Sequence, residues 1–322
     1  MAKASLTATE RRSAHLLFAE ELADGTISPA DLERPEVERA VRSLQVPSPF
    51  LRRWQARRLD AGRLDLEEST GPMLAAREAV LGPGAAGLPR VLVRLDAFPG
   101  AGAGVDAVRA TTGALRAADV PFLLTVLPRV PDPAADGGHR RHTAQEADLL
   151  EELRRDPRVA FGAAGLDGTP IDRLDPGDLE AALDEADAVL ARYGIAPDVL
   201  VAPGGRVHLR RYRALAERYA IVCAGPGSVA HMGFHRTPLW RGEAVWMPAY
   251  RPLAGPAREV ARALRELADR GAALWLPAVL ELADLDPASL RDVAAALTGL
   301  ARPWDEFLAA ARAASASADA AG

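Results

Sequence analysis

"VLVRLDAFPG", residues 91 to 100, is the stretch from which the chain is read. Its apolar residues around a single arginine predict a buried strand of the kind found in parallel sheets, and the Pro-Gly pair predicts where that strand stops. One carboxylate, Asp96, sits at the tip with the small Ala97 beside it.

Downstream the same grammar repeats. "GVDAVRATTGALRAADV" (104 to 120) has helical spacing and is followed by the apolar run "PFLLTVLP"; "TAQEADLLEELRRDP" is followed by "VAFGAAG", and "PGDLEAALDEADAVLARYG" by "DVLVAPGG". "LRRYRALAERY", "AIVCAG", "AVWMPAY", "PAREVARALRELADRG" and "ALWLPAVLE" continue the alternation. Strand-then-helix units imply parallel strands joined by right-handed crossovers, and six or seven of them predict a closed or nearly closed β/α barrel. In such a barrel the chemistry gathers where strands end and βα loops begin. Here those places are Asp96, 128 to 132, 164 to 168, 203 to 208, 248 to 250 and 277 to 281.

Upstream, residues 1 to 88 show Leu, Glu, Arg and Ala at helical spacing and predict a helical N-terminal region, joined through the Gly/Pro-rich "LGPGAAGLP" to a barrel over 89 to 285. Residues 286 to 322 predict one helix and a disordered "SASADAAG" tail. The chain has 322 residues, 49% hydrophobic and 26% charged, with a formal net charge of −5. That balance belongs to a globular protein and offers no basic face to nucleic acid. A single cysteine, Cys223, precludes an internal disulfide, the N-terminus lacks an apolar targeting core, and no apolar run is long enough to span a bilayer. The expectation is a cytoplasmic protein without nucleic-acid or membrane partners.

"PGAGAG" (99 to 104) resembles a dinucleotide loop but misses the G-x-G-x-x-G spacing, and the next strand lacks an acidic end for a ribose, so it reads as a turn. The pairs His139/His142 and His231/His235 have spacings that zinc sites use, but "GGHRRHTAQE" reads as a loop running into a helix capped by Thr143. In "VLVAPGGRVHLRRY", Pro203, Arg206 and His208 stand at a strand end, where a cation and an imidazole suit an anionic or polyhydroxylated ligand. Trp240, Trp246, Tyr250 and Trp275 are core candidates, one or two of which could stack on a sugar ring.

The order "VLVRLDAFP", "ALRAADVPFLLTVLPRVP", "LLEELRRDPRVAFGAAGLDGT", "RYGIAPDVLVAPGG" resembles the polysaccharide deacetylase (NodB-homology) superfamily over about residues 89 to 282, closest to the intracellular branch whose first strand ends R-x-D-D-x-P. The resemblance implies a distorted β/α barrel that removes acetyl groups from N-acetylated sugars with a divalent metal, commonly zinc. It makes Asp96 the general base and puts Ala97 where a metal-ligating Asp belongs. The H-G-x-x-H ligands correspond to Ala164 and Gly168 of "AGLDG", and the general-acid histidine to about Glu281. All three ligand positions are thus non-ligating, and the metal-activated water of such hydrolases has no holder.

Three readings follow. The first is a degenerate deacetylase-like barrel, a hydrolase relative or pseudoenzyme without cofactor. It binds, or acts without metal on, a sugar-like or N-acylated small molecule through Asp96 and Glu281, with Arg94, Asp132, Asp167, Pro203, Arg206, His208, Trp246, Tyr250 and Trp275 around them. The second is an active C–N hydrolase with zinc in a site rebuilt from His139, His142 or His208 and nearby carboxylates. The third is a non-catalytic partner protein whose N-terminal region docks onto a pathway enzyme or a second copy.

Overall fold

The computed structural model describes residues 6 to 320 apart from 45–47, 64, 84–86, 101–103 and 282–285. The turn expected around Gly102 falls on residues 101–103, outside the described residues.

The N-terminal region folds into α1 (Ala8–Leu17), α2 (Ala19–Ala23), α3 (Pro35–Ser43), α4 (Pro49–Asp60) and α5 (Leu66–Leu81). Then come β1 (Arg90–Phe98), α6 (Val105–Ala117), β2 (Phe122–Val126), the short pair β3 (Val130–Pro131) and β4 (His139–Arg140), α7 (Ala144–Arg154), β5 (Val159–Ala163) and α8 (Pro176–Arg192). The second half holds β6 (Val199–Val201), α9 (Leu209–Ala216), β7 (Ile221–Ala224), α10 (Val229–Met232), β8 (Leu239–Arg241), β9 (Ala244–Pro248), β10 (Ala254–Gly255), α11 (Ala257–Asp269) and β11 (Trp275–Leu280). It closes with α12 (Pro287–Leu297) and α13 (Trp304–Ala320).

Local chemistry sets the boundaries. Thr7 with Glu10 and Thr143 with Glu146 form capping boxes on α1 and α7, and the Asp286 side chain accepts the first amides of α12. The C-terminal stretch expected as one helix with a disordered tail is two helices. Gly299 at φ 76° and Pro303 interrupt it, and α13 then runs through Ala320.

Nine strands form one sheet in the order β10-β11-β1-β2-β5-β6-β7-β9-β8, parallel except for the β8–β9 hairpin. β1 and β7 lie four strand spacings apart, about 19 Å in a flat sheet. Yet Arg94 of β1 interacts with the Cys223 thiol of β7, so the sheet is curled with these two strands facing each other across its interior.

Alternation along the strands separates two cores. Val91, Val93, Leu95, Phe122, Leu124, Leu200, Val222 and Trp246 point outward into the layer covered by helices. Leu92, Leu123, Val199, Val201, Ile221, Cys223, Val245, Met247 and Trp275 point inward. Trp304, Phe307, Leu308 and Ala311 of α13 plug the interior, and the Trp304 indole donates to Val93 O at 2.8 Å. Leu16 of α1 joins the same cluster, so the two terminal extensions meet at the barrel floor. The far end, where strands run out into βα loops, is left as the mouth.

Candidate active site

Leu92, Arg94 and Asp96 share the inner face of β1, and the strand carries the two charges to the mouth. The Arg94 guanidinium grips the Asp96 carboxylate with two bonds, Nε to Oδ1 at 2.7 Å and Nη2 to Oδ2 at 2.9 Å. The arginine side chain is only 4% exposed, whereas the carboxylate is 29% exposed and reaches the mouth. Burial opposes the Arg94 charge, but Asp96 and Cys223 outweigh it and its pKa is raised. Arg94 Nη1 has no hydrogen-bond partner. Burial pushes the Cys223 thiol up to about 11, against the pull of Arg94.

Ala97 adopts φ 61°, a left-handed conformation that costs a non-glycine residue about 1 kcal/mol or more. The register against β2 shifts between Leu95 and Phe98 at this point, and the Ala97 amide donates to Thr125 Oγ1 at 2.7 Å. The bulge therefore turns the chain immediately after Asp96.

Leu95 pairs with Leu280 on the neighbouring strand β11, so Asp96 and Glu281 each follow the last paired residue at the mouth end, with the Glu281 carboxylate near Gly255 of β10. Glu281 is exposed.

The positions that correspond to histidine ligands are filled by backbone function. The Ala164 amide donates to Val126 O at 3.0 Å, and Gly168 has φ 81°. At Gly165, with φ 71°, an added Cβ would lie 2.8 Å from Pro203 Cγ, so Pro203 packs against bare backbone.

The expected rebuilt metal set is not brought together. His139 pairs with Asp167 at 3.4 Å. His142 bonds Leu127 O at 2.7 Å, packs on Tyr193 and has its pKa lowered by burial. His208 turns to Asp172, Nε2 to Oδ2 at 3.2 Å, and stacks on His231 with ring centroids 3.5 Å apart. Among the described residues no three His, Cys, Asp or Glu side chains converge as a metal site. With Asp96 tied to Arg94 and Ala97, Ala164 and Gly168 unable to ligate, the residues of this chain do not fit the zinc of the resemblance.

Several expected ligand contacts have other roles. Asp132 accepts the Ala134 amide and Asp167 the Thr169 amide, each holding its own loop. Trp246 lies on the outer face, edge-on to Tyr212, because the inward places of β9 belong to Val245 and Met247. Trp275 is the first residue of β11 and packs on Phe307 at the floor, the end opposite the mouth. Tyr250 is buried against Phe234. Arg206 lies in the mouth-side loop after β6, beside the backbone of Gly227. Asp172 and His231, which sequence reasoning did not place at the site, join His208 only through loops that follow three different strands.

Comparison with solved structures bears on the fold. The chain superposes on a protein described as a polysaccharide deacetylase from Mycobacterium smegmatis with a TM-score of 0.51 and 15% identity, over 72% of this chain and 92% of that one. The chain has the polysaccharide deacetylase fold. The Puue allantoinase also matches, with a TM-score of 0.50 and 12% identity over 71% of this chain and 91% of its own. No protein-family model matches the sequence, and no curated protein matches it. No helix among the described residues is long and apolar enough to cross a membrane.

Proposed function

We propose that this chain is a ligand-binding relative of the deacetylases, whose mouth accepts a sugar-like or N-acylated small molecule without a metal. The observation that carries the reading is the Arg94–Asp96 pair standing where the base of the resemblance belongs. The Arg94 guanidinium holds both Asp96 oxygens in one orientation with two hydrogen bonds. Asp96 therefore works as a fixed acceptor: each oxygen, already holding one N–H, keeps room for a ligand hydroxyl or amide N–H. Glu281, at the end of the neighbouring strand, supplies a second acceptor, and Arg206 contributes donors from the rim. The two solved neighbours, named a deacetylase and an allantoinase, support a polar, amide-bearing ligand class.

The test combines equilibrium binding over a panel of N-acetylated and free amino sugars with metal analysis of the purified protein. Saturable binding that Asp96→Asn weakens by about tenfold, unchanged by added zinc, is the expected result. Acetate release that requires zinc and stops on chelation would overturn the reading.

A further inference from the structure

A second group of polar side chains lies outside the barrel interior, and the mouth chemistry does not use it. Arg241 ends β8 with 9% of its surface exposed, so it is more than nine-tenths covered. Its Nη2 donates to Met232 O at 3.1 Å, while Nε and Nη1 are buried without any hydrogen-bond partner. No aspartate or glutamate among the described residues pairs with it. The ionisable groups that bear on it are Arg52, another cation, and the phenols of Tyr212 and Tyr250, which stay protonated and uncharged near neutral pH.

Two further polar side chains near Arg241 have an unpartnered atom. The Tyr250 hydroxyl and His235 Nε2 are buried and unpartnered, in residues 1% and 3% exposed. Arg241 bears electrostatically on both of them. An isolated buried guanidinium is among the most costly groups a fold can carry, and unpaired buried donors add to that cost. Water can satisfy the donors, but only an anion also balances the charge.

Arg241 also lines an open groove between α9 and the β8–β9 turn, together with Tyr212, Arg213, Glu217 and Glu243. The two acids of that groove are engaged elsewhere, Glu217 with Arg213 at 3.5 Å and Glu243 with Arg12 at 3.5 Å. Neither pairs with Arg241, which lies beside the groove.

We propose that Arg241, with the Tyr250 hydroxyl and the His235 imidazole, forms a binding site for a small oxyanion that enters through the groove beside α9. The ligand chemistry is a compact group of acceptor oxygens carrying negative charge, as on a phosphate or a carboxylate. The site is independent of the mouth and of whether the mouth binds sugars.

The experiment titrates the full chain with inorganic phosphate and, separately, with acetate, at ionic strength held constant with chloride, and reads affinity by calorimetry and unfolding temperature. At least one oxyanion is expected to bind and to raise the unfolding temperature above the chloride control. Arg241→Met should weaken that binding by about tenfold or more, as expected for losing a charge-assisted contact. Tyr250→Phe removes only an unpartnered hydroxyl and keeps the ring packing, so it should fold normally and bind several-fold more weakly. A response to phosphate alone assigns a phosphoryl group, and a response to acetate alone assigns a carboxylate. Absence of binding by either oxyanion, with Arg241→Met more stable than the parent in every buffer, would overturn the proposal. Binding that neither substitution weakens would overturn it equally.

Discussion

Replacing Asp96 by Ala removes the acidic partner that Arg94 has among the described residues, and the consequence can be sized. The guanidinium is 4% exposed and loses two bonds of 2.7 and 2.9 Å. Breaking a buried pair by deleting one partner costs about 3–5 kcal/mol, and the partial exposure of Asp96 puts the loss near the lower end, about 3 kcal/mol. Unfolding entropy for a chain of 322 residues is about 0.7 kcal/mol per kelvin, so the unfolding temperature should drop by about 4–5 °C. Arg94→Met strands a carboxylate that water can reach and should cost less, about 1–2 kcal/mol. The double variant should lose less than the sum of the two, with a coupling of about 1 kcal/mol or more. Calorimetry on the four proteins reads all of these. A loss under about 1 kcal/mol for Asp96→Ala, or strict additivity in the cycle, would refute the argument that the pair is a coupled buried unit.

Further perturbations probe other parts of the same reasoning. His235 has its pKa lowered well below the usual histidine value by burial and by Arg241, so the unfolded chain takes up the proton first. Its stabilising contribution is complete above about pH 6.5 and declines below it by up to about 1.4 kcal/mol per pH unit. His235→Leu should reduce that acid-side slope in unfolding titrations; an unchanged slope would mean that the ring is protonated in the fold. Cys223, with its thiol raised to about 11 and fully buried, should resist disulfide-exchange reagents at mild alkaline pH until denaturant is added, and prompt reaction of the native protein would contradict the interior placement. At the left-handed Ala97, glycine should fall within about 0.5 kcal/mol of the parent, while valine should cost about 2 kcal/mol. Equal unfolding midpoints for the two would remove the strain from the account.

How much of this was written in the sequence depends on the range of the interactions. "VLVRLDAFPG" read as the first strand because a buried parallel strand needs an unbroken apolar run, and the Thr143 cap was visible in four consecutive residues. The face on which each aromatic lies was not visible. A strand covered on both sides is apolar at every position, so "AVWMP" does not reveal that Val245 and Met247 face inward and Trp246 outward. The break between α12 and α13 was missed in the reading of one helix, although Gly299 and Pro303 are glycine and proline stop signals. The meeting of His208, Asp172 and His231, and the lack of an acidic partner for Arg241 among the described residues, are products of tertiary packing. In "PLWRGEA" that arginine looks like an ordinary solvated residue before a turn.

The plug formed by α13 has a consequence for the order in which the chain can mature. Trp304 caps a carbonyl of β1, and Phe307 packs on Trp275 of β11, so the inner core closes only after about 300 residues have been made. During synthesis the inward faces of β1, β2, β6, β7 and β9 are complete but uncovered at one end. Such a nascent barrel exposes apolar surface until α13 has emerged from the ribosome and docked.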